Sequence, residues 1–94
     1  MVQVRYYHDP RTGQPHIYGH NVTEDEAEGV LDRPMEDRPG QEGSRMAVGQ
    51  TSAGRYLRVI YVPDPKPESV FVITAYEMGP KAKKALRRRQ KQKR

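Results

Sequence analysis

Arg45, Arg55 and Arg58 fall on two neighbouring predicted strands, and a guanidinium carries a fixed fork of donors that suits a phosphate. With Arg45 and Arg58 on the solvent face of a sheet, the pair makes an anion clamp. Arginines on open sheet faces equally pair with Asp or Glu, or lie in solvent. Tyr61, Tyr76 and Glu77 sit at strand ends near the start of a terminal helix. A tyrosine there can stack on a base or donate to a phosphate oxygen, and a glutamate can act as general base when its pKa rises. The plainer alternative is a rim tyrosine with its hydroxyl in water and a glutamate bonded at the helix start. His16 and His20 are four apart, with His8 nearby. On a helix that spacing puts both imidazoles on one face as a metal pair. Pro15 and Gly19 disfavour a helix there, and no third ligand is spaced to help, so neither metal nor cofactor is expected. His20 then serves as a general base or as a structural donor just ahead of a helix.

The charge is divided along the chain. Residues 1–80 have a net charge of −4 and residues 81–94 a net of +9, with no acid in the latter. The pI near 9.7 is therefore a property of the tail. Lys83, Lys84, Arg87, Arg88 and Arg89, with Arg55, are the candidate nucleic-acid contacts. Such a tail tracks a phosphate backbone without sequence preference. Interleaved aromatics for stacking on single strands are missing from it, and it reads equally as a solvated extension.

Composition removes whole classes. There is no Cys, hence no disulfide framework, thiolate metal site or cysteine nucleophile. No apolar run approaches the roughly 20 residues that cross a bilayer, and the N-terminus lacks the apolar stretch of a signal peptide. A Gly-rich phosphate loop, a Ser/His/Asp constellation and a paired-carboxylate signal are all missing. The expectation is a soluble, cytoplasmic protein without a membrane partner.

The elements that must position these groups centre on Arg55–Met78. Two runs rich in β-branched and aromatic residues, 56–62 and 70–76, flank the proline-rich PDPKPE and read as neighbouring strands joined by a stiff polar loop. Arg45, Ala47 and Gly49 alternate with Met46 and Val48 in a third strand, which turns at Thr51–Gly54 into the next. The strands at 44–50, 55–62 and 69–76 form an antiparallel meander. Val2, Val4 and Tyr6 give a period-2 strand, a turn follows at His8–Gln14, and Pro15–Tyr18 reads as a short returning strand. Thr23 with Glu26 forms a capping box, Val22 and Ala27 a staple, and Pro34 ends that helix near Arg33. Met35–Gly43 reads as polar loop. Gly79-Pro80 starts a terminal helix that docks through Met78, Ala82, Ala85 and Leu86. Beyond Leu86 no apolar residue remains.

The expected fold is α+β: a small curled antiparallel sheet, made of the C-terminal meander plus an N-terminal strand or hairpin. One helix from the N-terminal half and a short C-terminal helix pack on it. Residues 1–86 make a single domain and 87–94 a flexible basic tail.

The segments HNVTEDEAEGVL, SRMAVGQT, GRYLRVIYV and SVFVITAYEM resemble the BrnT-type toxins and the small DUF4258 domains of the wider RelE/ParE-like group. The resemblance spans about residues 16–80. It implies a ribonuclease that arrests translation, acts without metal and is silenced by an antitoxin. The substrate's 2′-hydroxyl attacks the adjacent phosphorus while cationic groups stabilise the phosphorane. His20 matches the histidine ahead of the helix and Arg45 the arginine that opens a strand. After Ile73-Thr74-Ala75 the chain has Tyr76, as in DUF4258 domains, where BrnT-type toxins usually carry arginine.

Two readings result. In one, Arg45 and Arg58 hold the phosphate of an RNA, His20 or Glu77 moves the proton, Tyr76 stacks on a base and the tail adds affinity. In the other, the chain is a catalytically inert module that binds a protein or a nucleic acid. Convergence of Arg45, His20 and Tyr76 on one concave patch separates the two. A weaker third reading makes the tail an RNA-association handle.

Overall fold

The structure, a computed structural model, describes residues 3–66 and 68–92. In chain order its elements are β1 (Gln3–Tyr6), a 3-10 helix (His16–His20), α1 (Glu24–Asp32), β2 (Glu36–Pro39), β3 (Arg45–Gln50), β4 (Tyr56–Pro63), β5 (Ser69–Glu77) and α2 (Pro80–Gln92). The fold is α+β, with one sheet in the order β1-β5-β4-β3-β2.

The expected meander is β3, β4 and β5, paired antiparallel throughout. Gly54, at φ +92°, closes the β3–β4 turn, where Thr51 N–H donates to Arg55 O and Gly54 N–H to Thr51 O. The loop after Pro63 is held by Asp64, which accepts from Ser69 Oγ at 2.5 Å and from the Arg5 fork.

In the sheet and its N-terminal connection, three details depart from the sequence expectation. The sheet is mixed, because β1 runs parallel to β5, with Val4 opposite Val70 and Tyr6 opposite Val72. Period-2 alternation identifies a strand but not its partner or direction. The returning strand at Pro15–Tyr18 shrinks to one bridge, His8 to Pro15, followed by the 3-10 helix. Pro15 has no N–H with which to extend a ladder. Within the expected polar loop, β2 pairs with β3 from Glu36 opposite Val48 to Pro39 opposite Arg45. Its polar composition is that of an exposed sheet edge. Val2 lies outside the described residues.

The two sheet faces are covered differently. On one, α1 and the 3-10 helix close over Leu57, Val59, Val72, Ala75 and Ala47, all fully buried, together with Ile17, Val22, Ala27 and Val30. The Thr23–Glu26 capping box is present in full, and the helix ends at Asp32 with Arg33 as C-cap. A Cβ on Gly49 would stand 3.3 Å from Val30 Cγ1, so glycine lets α1 approach β3 closely.

On the other face, Leu86 of α2 and Met78 just ahead of it pack against Val48, with Met35, Met46, Tyr56 and Ala82 around them. Arg58, Ile60, Thr74 and Tyr76 on this face are only half-buried. Instead of ending near Leu86, the helix continues to Gln92. Arg89 forks onto Glu36 at 2.8 and 2.9 Å, and Gln90 Nε2 donates to Met35 O. Residues 87–92 are thus part of the fold, and Lys93 and Arg94 lie outside the described residues.

Candidate functional site

One irregularity decides which side chains meet. Between β4 and β5 the register shifts: Thr74 faces Ile60 but Val72 faces Tyr61, leaving Ile73 bulged out of the ladder. An extra residue inverts the alternation beyond it. Val72 and Ala75, an odd number apart, therefore both turn into the α1 core, and Tyr76 turns to the α2 face opposite Arg58.

A row of rings and one guanidinium results. Tyr7 and His16 have ring centroids 5.9 Å apart, His16 and His20 5.2 Å, and His20 and Tyr76 6.1 Å. Arg58 Cζ then lies 6.0 Å from the Tyr76 centroid. The row runs from the turn after β1, around the free edge of β5 beyond its last pairing with β1, and onto the α2 face. Beside it, Asp9 Oδ2 stands 3.8 Å from His16 Nδ1. Backbone bonds fix the geometry: Tyr7 N–H donates to Val72 O, and His16 N–H to Tyr7 O. Asn21, at φ 61°, ends the 3-10 helix just beyond His20.

Arg58 stands apart from the other strand arginines. Arg5 pairs with Asp64, Arg38 with Glu36 and Arg45 with Asp37. No carboxylate lies within ion-pair distance of Arg58 among the described residues, and its Nε is buried without a hydrogen-bond partner. An unpaired buried donor of a charged group is costly unless something else satisfies it. Thr74 Oγ1, on the same face of the neighbouring strand, also lacks a partner.

The remaining sequence candidates are occupied. Arg45 faces Tyr61 across β3 and β4 on the α1 face, opposite to Arg58, so the two do not form a clamp. Its Nε donates to Asp37 Oδ1 at 2.9 Å, which raises its pKa and holds it as a structural cation. Tyr61 also donates to Asp37 and sits mid-strand on this side, remote from the start of α2. Arg55 donates to both carboxylate oxygens of Glu26 at 2.9 Å, to Asn21 O, and to Glu77 at 3.3 Å. These bonds, that to Glu26 foremost, raise the Arg55 pKa and tie α1 to the end of β5, so Arg55 is spent on Glu26 and Glu77 is paired with Arg55. Glu26 is held below its ordinary carboxylate range, first by the Thr23 backbone N–H and then by Arg55.

On α2, Lys81, Lys84, Arg87, Arg88 and Lys91 are exposed, while Lys83 and Arg89 lie on the half-buried side. Arg87 reaches over the ring of Tyr56, 5.6 Å from its centroid. Arg89 is committed to Glu36, whose pKa is pulled to about 2 by the Arg89 hydrogen bond first and Arg38 next. Among the described residues, no three His, Cys, Asp or Glu side chains gather closely enough to hold a metal. Among them, too, no helix is long and apolar enough to cross a membrane.

The expected patch of Arg45, His20 and Tyr76 therefore does not form, because Arg45 lies on the other face; His20 and Tyr76 line up with Arg58 instead, and Glu77 is paired with Arg55. Tyr7 and Asp9 join unanticipated, and His16, weighed in the sequence only as a metal partner of His20, stands beside it in the row. The signal for them was the turn-rich HDPRTGQP, which doubles the chain back and lays Tyr7 beside His16. No family model, no curated protein and no solved structure matches the chain.

Proposed function

We propose that the chain is a cytoplasmic RNA-directed protein of toxin type, a metal-independent endoribonuclease of the RelE/ParE-like group that an antitoxin neutralises. The observation that carries this reading is Arg58, among the described residues the one strand arginine without an acid, in line with the rings of Tyr76 and His20. Tyr76 stacks on a base and Arg58 forks onto the adjoining phosphate. His20 takes the proton of the 2′-hydroxyl as its oxygen bonds to phosphorus. The bond from phosphorus to the 5′-oxygen breaks, and that oxygen takes a proton from His16 as general acid. Asp9 orients His16. Arg58 carries the charge that builds on the phosphorane. The products are a 2′,3′-cyclic phosphate and a 5′-hydroxyl. Exposed cations along α2 add affinity without sequence preference.

The commitment of Arg45 and Glu77 to ion pairs favours a second reading, an inert RNA-binding module that uses the same row without cleaving. The test is incubation of the full chain with an end-labelled oligoribonucleotide in the presence of a chelator. Cyclic-phosphate products, absent when a 2′-deoxy substrate is used, support the nuclease. Retained binding with intact RNA supports the module. Neither binding nor cleavage removes both.

A further inference from the structure

We infer that the cleft between α2 and the sheet is a phosphate subsite, adjoining the aromatic row through the shared side chain of Arg58. Arg58, Arg38 and Arg89 line it with Glu36, Met46 and Val48, and it encloses about 130 Å³. With about 30 Å³ for each water in the liquid, that is room for a single tetrahedral anion.

The donor inventory points to an anion. Three guanidiniums face one carboxylate, so the cleft has an excess of two positive charges. Glu36 accepts one bond from Arg38, at 2.9 Å, and two from Arg89. A guanidinium has five N–H donors, so both arginines keep donors to spare. Arg58 spends none on a described carboxylate, and its Nε is unpartnered. The Glu36 side chain is 8% exposed, with each oxygen bonded to arginine, so it works as a brace that aims Arg38 and Arg89 into the cleft. Met46 and Val48 form an apolar wall that lowers the local dielectric and strengthens charge-assisted bonds to an incoming phosphate. β2, β4 and α2 each supply one arginine, so the subsite exists only while α2 is docked.

The ligand chemistry is a phosphate mono- or diester. That its source is the phosphate of a nucleotide next to the one stacked on Tyr76 rests on the RNA reading above; the anion site does not. The experiment separates them. Arginine Nε–H resonances of the full chain are followed by proton–nitrogen correlation while inorganic phosphate is added, with sodium chloride of matched ionic strength as control. An oligoribonucleotide is titrated in parallel.

Saturable shifts of Arg58 and Arg89 with one common dissociation constant, and little movement at Arg5 or Arg88, are expected. Arg38→Gln, on an exposed edge strand, should weaken phosphate binding about tenfold, the worth of one charged hydrogen bond, while Arg45→Gln leaves it unchanged. Shifts at Arg58 and Arg89 no larger than those in chloride would overturn the subsite, even with the oligoribonucleotide moving Tyr76 and His20. Saturable phosphate shifts without any response of Tyr76 and His20 to the oligoribonucleotide would uphold the subsite and reject RNA as its source.

Discussion

The guanidinium of Arg58 lies 6.0 Å from the centre of the Tyr76 ring, a pairing that exists because Ile73 is bulged out of the β4–β5 ladder. Without the bulge, Tyr76 would share the face of Val72 and point into the α1 core. The bulge thus does two jobs. It lets Val72 and Ala75 both reach full burial, and it delivers a tyrosine to the one strand arginine that has no acid among the described residues. Bulges beside functional sites commonly re-aim a side chain in this way.

Arg58 and Arg45 should consequently behave in opposite ways. Arg58→Gln is expected to weaken oligoribonucleotide binding about tenfold or more, the loss of a charge-assisted contact to phosphate. Arg45→Gln should leave affinity within a factor of about two, because its guanidinium is spent on Asp37 on the other face. Fluorescence anisotropy with a labelled strand measures both. Equal losses would mean that the two arginines share a ligand and that the unpaired state of Arg58 carries no functional weight.

His20 and Tyr76 divide chemistry from affinity. His20→Ala should lower the cleavage rate by roughly 10²–10⁴, the range for a general base, with a much smaller change in binding. Tyr76→Ala should cost roughly 1–3 kcal/mol of binding, the worth of one stacked base. Single-turnover cleavage beside binding separates the two effects. A His20 variant that cleaves at the wild-type rate would leave the row as a binding surface only.

Much of this fold is legible in the sequence because local chemistry dictates it. Thr23 and Glu26 cap α1 through bonds that reach only three residues, and Thr51–Gly54 closes a hairpin through its own backbone. What escapes the sequence depends on distant partners. Parallel pairing of β1 with β5 is invisible to period-2 alternation, and β2 looks like loop because an edge strand needs few apolar residues. The site is subtler. Arg45 and Arg58 are both plausible phosphate ligands by residue type, and only the register, which pairs Arg45 with Tyr61 and Arg58 with Val48, assigns them to opposite faces. Val70, Phe71, Val72, Ile73 and Thr74 are all β-formers, so nothing in the sequence marks which of them is extruded.

Acid should loosen the α2 clasp. The Glu36 pKa is pulled from 4.5 to about 2 by its bonds from Arg89 and Arg38. A carboxylate depressed on folding contributes stability that is fully present above its unfolded pKa and disappears as pH falls through the folded value. The window is therefore from about pH 4.5 down to about 2, with about 1–3 kcal/mol at stake. Denaturant melts across that window should show the loss, and Glu36→Gln should remove that part of the pH dependence while lowering stability at pH 7. Identical acid profiles for the two proteins would show that Glu36 is not held by arginine in solution.

Deleting residues 87–94 tests whether the basic end of the chain is appendage or structure. Its composition, with no apolar residue after Leu86, argues that removal costs nothing. The packing argues otherwise: Arg89 covers Glu36 and Gln90 bonds to Met35 O, so truncation leaves Glu36, 8% exposed, with Arg38 alone. A carboxylate stripped of its main partner is destabilising, but Arg89 is 39% exposed and screened, which limits the cost to about 1–2 kcal/mol. For a domain of this size that is a fall in melting temperature of roughly 4–16 °C. The single variant Arg89→Gln should reproduce most of it, whereas Lys91→Gln, exposed on the far side of α2, should not. A truncated chain that melts with the wild type would return residues 87–92 to the solvent and leave Leu86 as the last docked side chain.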